Sequence, residues 1–530
     1  MNTRKIEFDS LSLEQQYAVC RIQQAHNVFI TGPGGTGKSR LIQYLFQHYT
    51  ENCVNFQICA MTGCAAVLLG CKASTLHSWS GIRLARDTNE KIVAQIQRNK
   101  RLTKAWRQIR VLIIDEISMM SARIFDLLDD IGRIIRGVSS RPFGGIQLIF
   151  TGDFFQLPPV GQGEDAKFCF ESERWLRTFP MENCIELTTM FRQTDPKYIE
   201  ILNEIRKGTL SNENAAMLRE HVSREYDDAQ YGGCKLTKLF PVRAKVDNVN
   251  EFEFNKLDCM EYEYEHIPML NCRTYLDGSG KHIEYADLQK ARYLTKEDYD
   301  REVKAMLSQS LTPEKISLKV GTAVMSTANL DVERGICNGT QGTIIGFAES
   351  RSETGFGEIP IVKFSNGVQM RIQAQFRHST DYPTIAVGQM PLCLAWALTI
   401  HKIQGATMRM AEIDIGSSVF EFGQTYVALS RIQTLDGLYL SSFHPNRIKS
   451  NPKVVALYEQ IEKARLSRDV LVQYVKQHGP VSRDVDILSE GVKKVSFSPA
   501  MVDAAAYAPN FNQFAFVGVN KQGGDNGEGK

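Results

Sequence analysis

The chain has 530 residues, too many for a single hydrophobic core, so several domains are expected. Apolar residues make up 43% and charged residues 23%, an ordinary globular composition, and a formal net charge of +2 confines any nucleic-acid groove to a local patch. The 12 cysteines are scattered and read as free thiols of a reducing compartment: even Cys53, Cys59, Cys64 and Cys71 lack the paired short spacing of a zinc site.

The first periodic stretch, Leu11 to Val19, places Leu13, Tyr17 and Ala18 at helical spacing. Gln15 within it is either a surface amide or, because it offers both a donor and an acceptor, a reader of an adenine edge. The apolar run Val28, Phe29, Ile30 then enters GPGGTGKS, Gly32 to Ser39, ahead of a helix-like segment. That order of strand, glycine-rich turn and helix is the setting of a phosphate-binding loop. Gly32, Gly34, Gly35, Thr36 and Gly37 would turn consecutive N–H groups toward one anion at a helix N-terminus. Lys38 would reach the β- and γ-phosphates and Ser39 would bind Mg²⁺, so ATP is the expected nucleotide and Mg²⁺ its ion.

Val54, Phe56 and Ile58 alternate like a half-buried strand, and Thr62, Gly63, Ala65 and Ala66 open the next helix. His77 and Trp79 read either as satisfied core residues or as partners for a phosphate and a stacked base. VLIIDE, Val111 to Glu116, is a continuous apolar strand ending in two carboxylates, as buried parallel strands do near a ligand. Asp115 is placed to hold Mg²⁺ and Glu116 to polarise the attacking water. The apolar steps from Ile124 to Ile135 mark an amphipathic helix. After the strand IQLIF, Gln156 is a candidate γ-phosphate sensor, while Phe154 and Phe155 read as core.

Between about Lys167 and Gln193 the chain is expected to leave this first unit. LTKLFPV followed by a helix begins a second αβ unit, and the charged, tyrosine-rich stretch 256–314 reads as an insertion with little strand patterning. From Val320 short runs separated by Asn-Gly turns, the sharpest at Asn366-Gly367, suggest antiparallel hairpins and a small β-barrel. Ala395 to Met408 returns to αβ text, and Arg431 falls in a polar turn between a helix and a strand. Beyond about Asp469 order is expected to fade, and the glycine-rich end reads as disordered.

The motifs LSLEQ, GPGGTGKS, AMTGCAAVLLG, ASTLHSWSGI, IIDE, TGDFFQLPP, TMFRQ, LDVERGICNGTQGTI, TIHKIQGAT and YVALSRI, in this order, resemble the petite-integration-frequency (Pif-type) branch of the superfamily 1 DNA helicases, relatives of the bacterial RecD-like enzymes. The resemblance runs from about Leu11 to Leu440; it departs at Ile403, where the family commonly has a serine.

It implies an α/β fold of two RecA-like P-loop NTPase lobes with small inserted accessory domains, one of them the β-barrel. The corresponding boundaries are 1–190 for the first lobe with a wedge near 80–105, 191–335 for the start of the second lobe, 336–392 for the barrel, 393–468 for the rest of the second lobe and 469–530 for a tail. Arg192 and Arg431 become arginine fingers, Gly405 joins the nucleotide-binding set, and Thr62, His77, His401 and Lys402 become contacts to DNA. The implied activity is ATP-driven 5′-to-3′ movement on single-stranded DNA and unwinding of tailed or forked duplexes, with G-quadruplexes and RNA–DNA hybrids left open. The expected state is a monomer, with a dimer on DNA as the alternative. No apolar run reaches membrane-span length, so a soluble intracellular location is expected, nuclear, cytoplasmic or at a viral replication site. A nucleotide kinase would use the same loop but predicts one compact domain without the distal arginines; a non-catalytic switch ATPase predicts loss of Glu116 or Gln156.

Overall fold

A computed structural model describes residues 5–479, apart from 70, 83, 84, 86, 227–235, 277–279, 309, 311, 332, 351–354, 380 and 381. Six strands form a parallel sheet: β1 (Val28–Thr31), β2 (Phe56–Ala60), β3 (Ser74–Thr75), β4 (Val111–Asp115), β5 (Gln147–Thr151) and β6 (Cys184–Glu186). Their order is β3-β2-β4-β5-β1-β6. Side chains of a strand alternate between faces, and both faces of this sheet are covered. Phe29, Leu112, Ile114, Leu148 and Phe150 enter one core. Val28, Ile30, Ile58, Ile113 and Ile149 enter the other, under helices α1 (Leu13–Gln23) and α2 (Lys38–Glu51). Cys184–Glu186 pairs beside β1 as the last strand of this sheet, inside the stretch 167–193 over which the chain is expected to leave the first unit.

The stretch read as a wedge forms two helices, Asn89–Arg98 and Lys100–Gln108. Ile92, Val93, Ile96 and Trp106 bury their apolar stripe in the core of the first sheet.

A second parallel sheet runs in the order 397–399, 238–240, 411–415, 438–443. Leu239, Leu398, Ile413 and Leu440 from this sheet lie in the same apolar cluster as Phe29 and Phe150. The two αβ lobes therefore share one continuous apolar cluster.

Between residues 262 and 394 the chain is antiparallel, and here the expectation of a barrel is corrected. A five-stranded sheet runs 369–371, 358–364, 341–349, 323–326, 392–394, with open edges; 262–265 pairs with 315–318, and 267–269 joins 386–389 and 375–378. Among the described residues no barrel closes. The edge strands Gln369–Arg371 and Leu392–Leu394 are three residues long, too short to offer a continuous ladder for closure. The sheets instead share a core in which Tyr264, Ile316 and Leu318 meet Val324, Ile344, Val362 and Phe364. The charged stretch 256–314 thus contributes two strands, 262–265 and 267–269, and the core residue Tyr264 to this module. The Asn366-Gly367 turn forms as read, with Gly367 at φ +84° and the Gly367 N–H donating to the Phe364 carbonyl at 2.9 Å.

Order does not fade at Asp469. Helix Arg468–His478 packs on α1, with Leu471, Tyr474 and Val475 entering the α1–α2 core and the Tyr474 ring edge-on to Tyr17 at 5.0 Å. The three-and-four spacing of those apolar residues is the signal that the polar composition around them hid. The glycine-rich end lies outside the described residues.

A candidate nucleotide cleft and nucleic-acid face

The phosphate loop closes the end of β1. Gly35 and Gly37 have φ of +96° and +82°, left-handed values that glycine adopts without strain, and Gly37 caps α2. The Lys38 ammonium donates to the carbonyls of Gly32 and Pro33 at 2.6 and 3.0 Å. Burial lowers its pKa, opposed by Asp153, Glu116 and Asp115. Ser39 lies exposed on the first turn of α2. Gln15 is buried: its amide closes a capping box with Ser12 and donates to the Thr36 and Gly37 carbonyls at 3.3 and 3.1 Å. The exposed ring of Phe191 stands beside it, such that a methyl at Gly37 would lie 3.3 Å from that ring and 2.6 Å from the Gln15 amide nitrogen.

Asp115 ends β4 buried and accepts a short hydrogen bond from the Thr151 hydroxyl. Burial, and then the neighbouring Glu116, push its pKa up to about 6. Glu116 adopts the left-handed region at φ +56°, a backbone state disfavoured for a side chain of this kind. It accepts from the Gln404 amide at 3.2 Å, across the cleft. Gln156 is 4% exposed and its Oε1 has no hydrogen-bond partner among the described residues.

The opposite wall brings both arginines to the loop. A methyl group at Gly34 would lie 3.5 Å from Arg192 Nη1 and 3.5 Å from Arg431 Nη2. Arg192 donates to the Ser430 carbonyl at 3.1 Å; Arg431 donates to the Val427 carbonyl at 2.9 Å and the Ser430 hydroxyl at 3.0 Å. Burial and the adjacent Arg431 pull the Arg192 pKa down to about 9, which leaves it charged at neutral pH. Burial likewise lowers that of Arg431. Tyr426, one helical turn before Arg431, accepts the Gly34 N–H at 2.9 Å, and Gly423 seats against the Phe155 and Gln156 carbonyls.

Behind the Gln156 loop lies a buried network with no local sequence signal. Arg206 donates to both oxygens of Asp153 and, at 3.1 Å, to Glu186. Its guanidinium lies over the rings of Phe155 and Tyr458, 4.6 and 4.8 Å from their centroids, and the two ring centroids are 4.5 Å apart. The Tyr458 hydroxyl donates to Asp153 at 3.1 Å, accepts the Phe154 N–H at 3.2 Å and bonds Thr31. Burial opposes the Arg206 charge, but Asp153 and Glu186 more than offset it and hold the pKa above the usual value. Phe154 and Phe155 are core, as read.

The residues read as nucleic-acid contacts lie elsewhere. The Thr62 hydroxyl accepts the Ala65 N–H at 3.2 Å at the start of helix Gly63–Leu69. His77 is half-buried with its pKa lowered by desolvation, and Trp79 packs on Trp106 at 4.8 Å. His401 and Lys402 are exposed in the turn after strand 397–399. A methyl at Gly405, read as nucleotide-binding, would lie 2.9 Å from Leu68 Cδ1, so this turn faces helix Gly63–Leu69 instead. Ile403 is fully buried, so the position where the family has a serine points into the core. Of the residues the sequence reading passed over, Phe191, Gln404 and Tyr426 sit inside quoted motifs, whereas Arg206 and Tyr458 look like ordinary helix residues.

Two parallel αβ lobes with a phosphate loop, an acidic strand end and facing arginines define a P-loop NTPase whose site is shared between lobes. The description "PIF1-like helicase" matches residues 10–216, and "DNA helicase Pif1, 2B domain" matches residues 303–347. The chain is 34% identical to the ATP-dependent DNA helicase PIF1 of Xenopus laevis over 466 residues, covering 86% of this chain and 65% of that protein. It is 34% identical to the ATP-dependent DNA helicase RRM3 of Saccharomyces cerevisiae over 529 residues, covering 85% of this chain and 68% of the yeast protein. The crystal structure of the Pif1 helicase from Candida albicans superposes with a TM-score of 0.66 at 30% identity, over 85% of this chain and 99% of that one. The chain belongs to the PIF1-like helicase family and spans about two thirds of the length of these curated relatives.

Proposed function

We propose that this chain is an ATP-dependent DNA helicase that moves 5′-to-3′ on single-stranded DNA and opens tailed or forked duplexes. The observation that carries the reading is the meeting of Arg192 and Arg431 with the Gly34 turn of the phosphate loop, from the wall opposite Lys38 and Glu116. A site divided in this way is complete only when the lobes are together, so hydrolysis and lobe movement depend on each other.

ATP is the substrate. The Lys38 ammonium neutralises its terminal phosphates, Gln15 reads the base edge and the exposed Phe191 ring covers the base face. Ser39 and Asp115 form the hydroxyl-and-carboxylate donor set that suits Mg²⁺, an ion that keeps most of its shell for phosphate and water. When bound, Mg²⁺ supplies charge neutralisation on the phosphate oxygens. Glu116 polarises the attacking water, and the buried Gln156 amide, with an acceptor to offer, orients it. The two guanidinium groups stabilise charge on the transferred phosphoryl group. Thr62, His77, His401 and Lys402 hold the strand by its backbone.

The test compares unwinding of duplexes carrying a 5′ tail, a 3′ tail or none, with ATP and with a non-hydrolysable analogue. Opening of the 5′-tailed duplex alone, and only with ATP, is expected. Opening of the 3′-tailed duplex would overturn the polarity, and no opening with intact ATP turnover would leave a nucleic-acid-stimulated ATPase.

A further inference from the structure

We propose that the Phe420 ring is a stacking platform for one base of the bound single strand, set beside the backbone contact at His401 and Lys402. This rests on the single-stranded DNA reading above and adds a residue and a mode of binding that it does not contain.

The placement follows from topology. In an open parallel sheet, ligands meet the loops beyond the carboxyl ends of the strands. His401 lies two residues beyond strand 397–399 and Phe420 five residues beyond strand 411–415, and strand 238–240 separates those two strands. The imidazole and phenyl rings lie 6.5 Å apart with planes within 18° of each other. Phe420 is 64% exposed, although burying a phenyl ring is worth about 1.5–3 kcal/mol.

A single exposed phenylalanine is ordinary on a protein surface. Phe420 differs because the backbone on either side is fixed while the ring is left out. Its N–H donates to the Gln424 side chain at 3.2 Å, and that fully buried amide reaches the Pro241 carbonyl at 3.5 Å. Val419 before it is buried, and Gly423 after it is wedged so closely that a methyl there would lie 2.3 Å from the Phe155 carbonyl oxygen. The ring is therefore presented on a rigid loop.

The surroundings suit a polyanion whose bases are unpaired. Lys402 is exposed next to His401, and Arg243, beyond the intervening strand, is exposed but paired with Asp247 at 3.4 Å; Glu421 is the carboxylate that faces His401. Aromatic rings with nearby cations bind single strands with little sequence preference, because every base has a π-face. Gly423 also touches the Gln156 carbonyl, so the loop that carries the platform bears on the γ-phosphate sensor.

The experiment measures binding of the whole chain to an oligothymidylate and to an abasic oligomer of equal length at one salt concentration. Wild type should prefer the oligothymidylate. Phe420→Ala should weaken oligothymidylate binding about tenfold and abasic binding less than about twofold, and Phe420→Trp should restore the difference. Retained abasic binding by the alanine variant shows that it is folded. Equal losses on both oligomers, or no loss on either, would overturn the platform. If wild type binds neither oligomer, the DNA reading itself fails, whatever Phe420 does.

Discussion

Replacing Arg431 with alanine tests the shared site most directly. Arg431 is 2% exposed and its guanidinium is held by the Val427 carbonyl and the Ser430 hydroxyl, so in the proposed role it would meet the transition state already oriented. An arginine delivered to a transferring phosphoryl group contributes about 10³ to 10⁵ in rate, roughly 4–7 kcal/mol of barrier. Part of the stabilisation survives removal, because Arg192, charged at neutral pH and held by the Ser430 carbonyl, still reaches the loop. The fall in kcat should therefore lie near the lower limit, about 10³. Arg431→Lys keeps the charge but loses the planar fork and should recover no more than about tenfold. The assay is steady-state ATP turnover at saturating oligonucleotide, paired with displacement of a fluorescent ADP analogue. Nucleotide affinity should change less than about threefold, since the lost contact acts mainly in the transition state. A fall in kcat below about tenfold together with a large loss of affinity would refute the assignment.

Lys38→Ala should abolish ATP turnover while oligonucleotide binding stays measurable by anisotropy; near-wild-type hydrolysis would contradict the loop's role. Glu116→Gln should retain bound ATP in filter binding with little product, and persistent turnover would mean that another group activates water. Tyr458→Phe keeps the ring against Arg206 but strips a hydroxyl from Asp153, Thr31 and the Phe154 N–H, which should lower stability by about 1–3 kcal/mol in urea denaturation. Because that network backs the Gln156 loop, kcat should fall with it; an unchanged urea midpoint would show that the hydroxyl is dispensable.

What the sequence by itself determined is everything that short-range chemistry encodes. A phosphate loop must be glycine-rich, contiguous and followed by a helix, so Gly32 to Ser39 is legible without a fold. The same holds for the apolar strand ending at Asp115 and Glu116 and for the hairpin at Asn366-Gly367. The open β module and the helix past Asp469 were harder, since closure depends on which edges pair and the helix owes its order to α1.

Only the tertiary structure decided which distant residues meet. Arg192 and Arg431 are 239 positions apart and converge on Gly34 because two lobes pack through one apolar core. Arg206 and Tyr458 carry no motif, yet burial beside Asp153 makes a guanidinium and a phenol the groups that satisfy a carboxylate away from water. Such partnerships are long-range, set by packing and desolvation, and therefore invisible to local pattern.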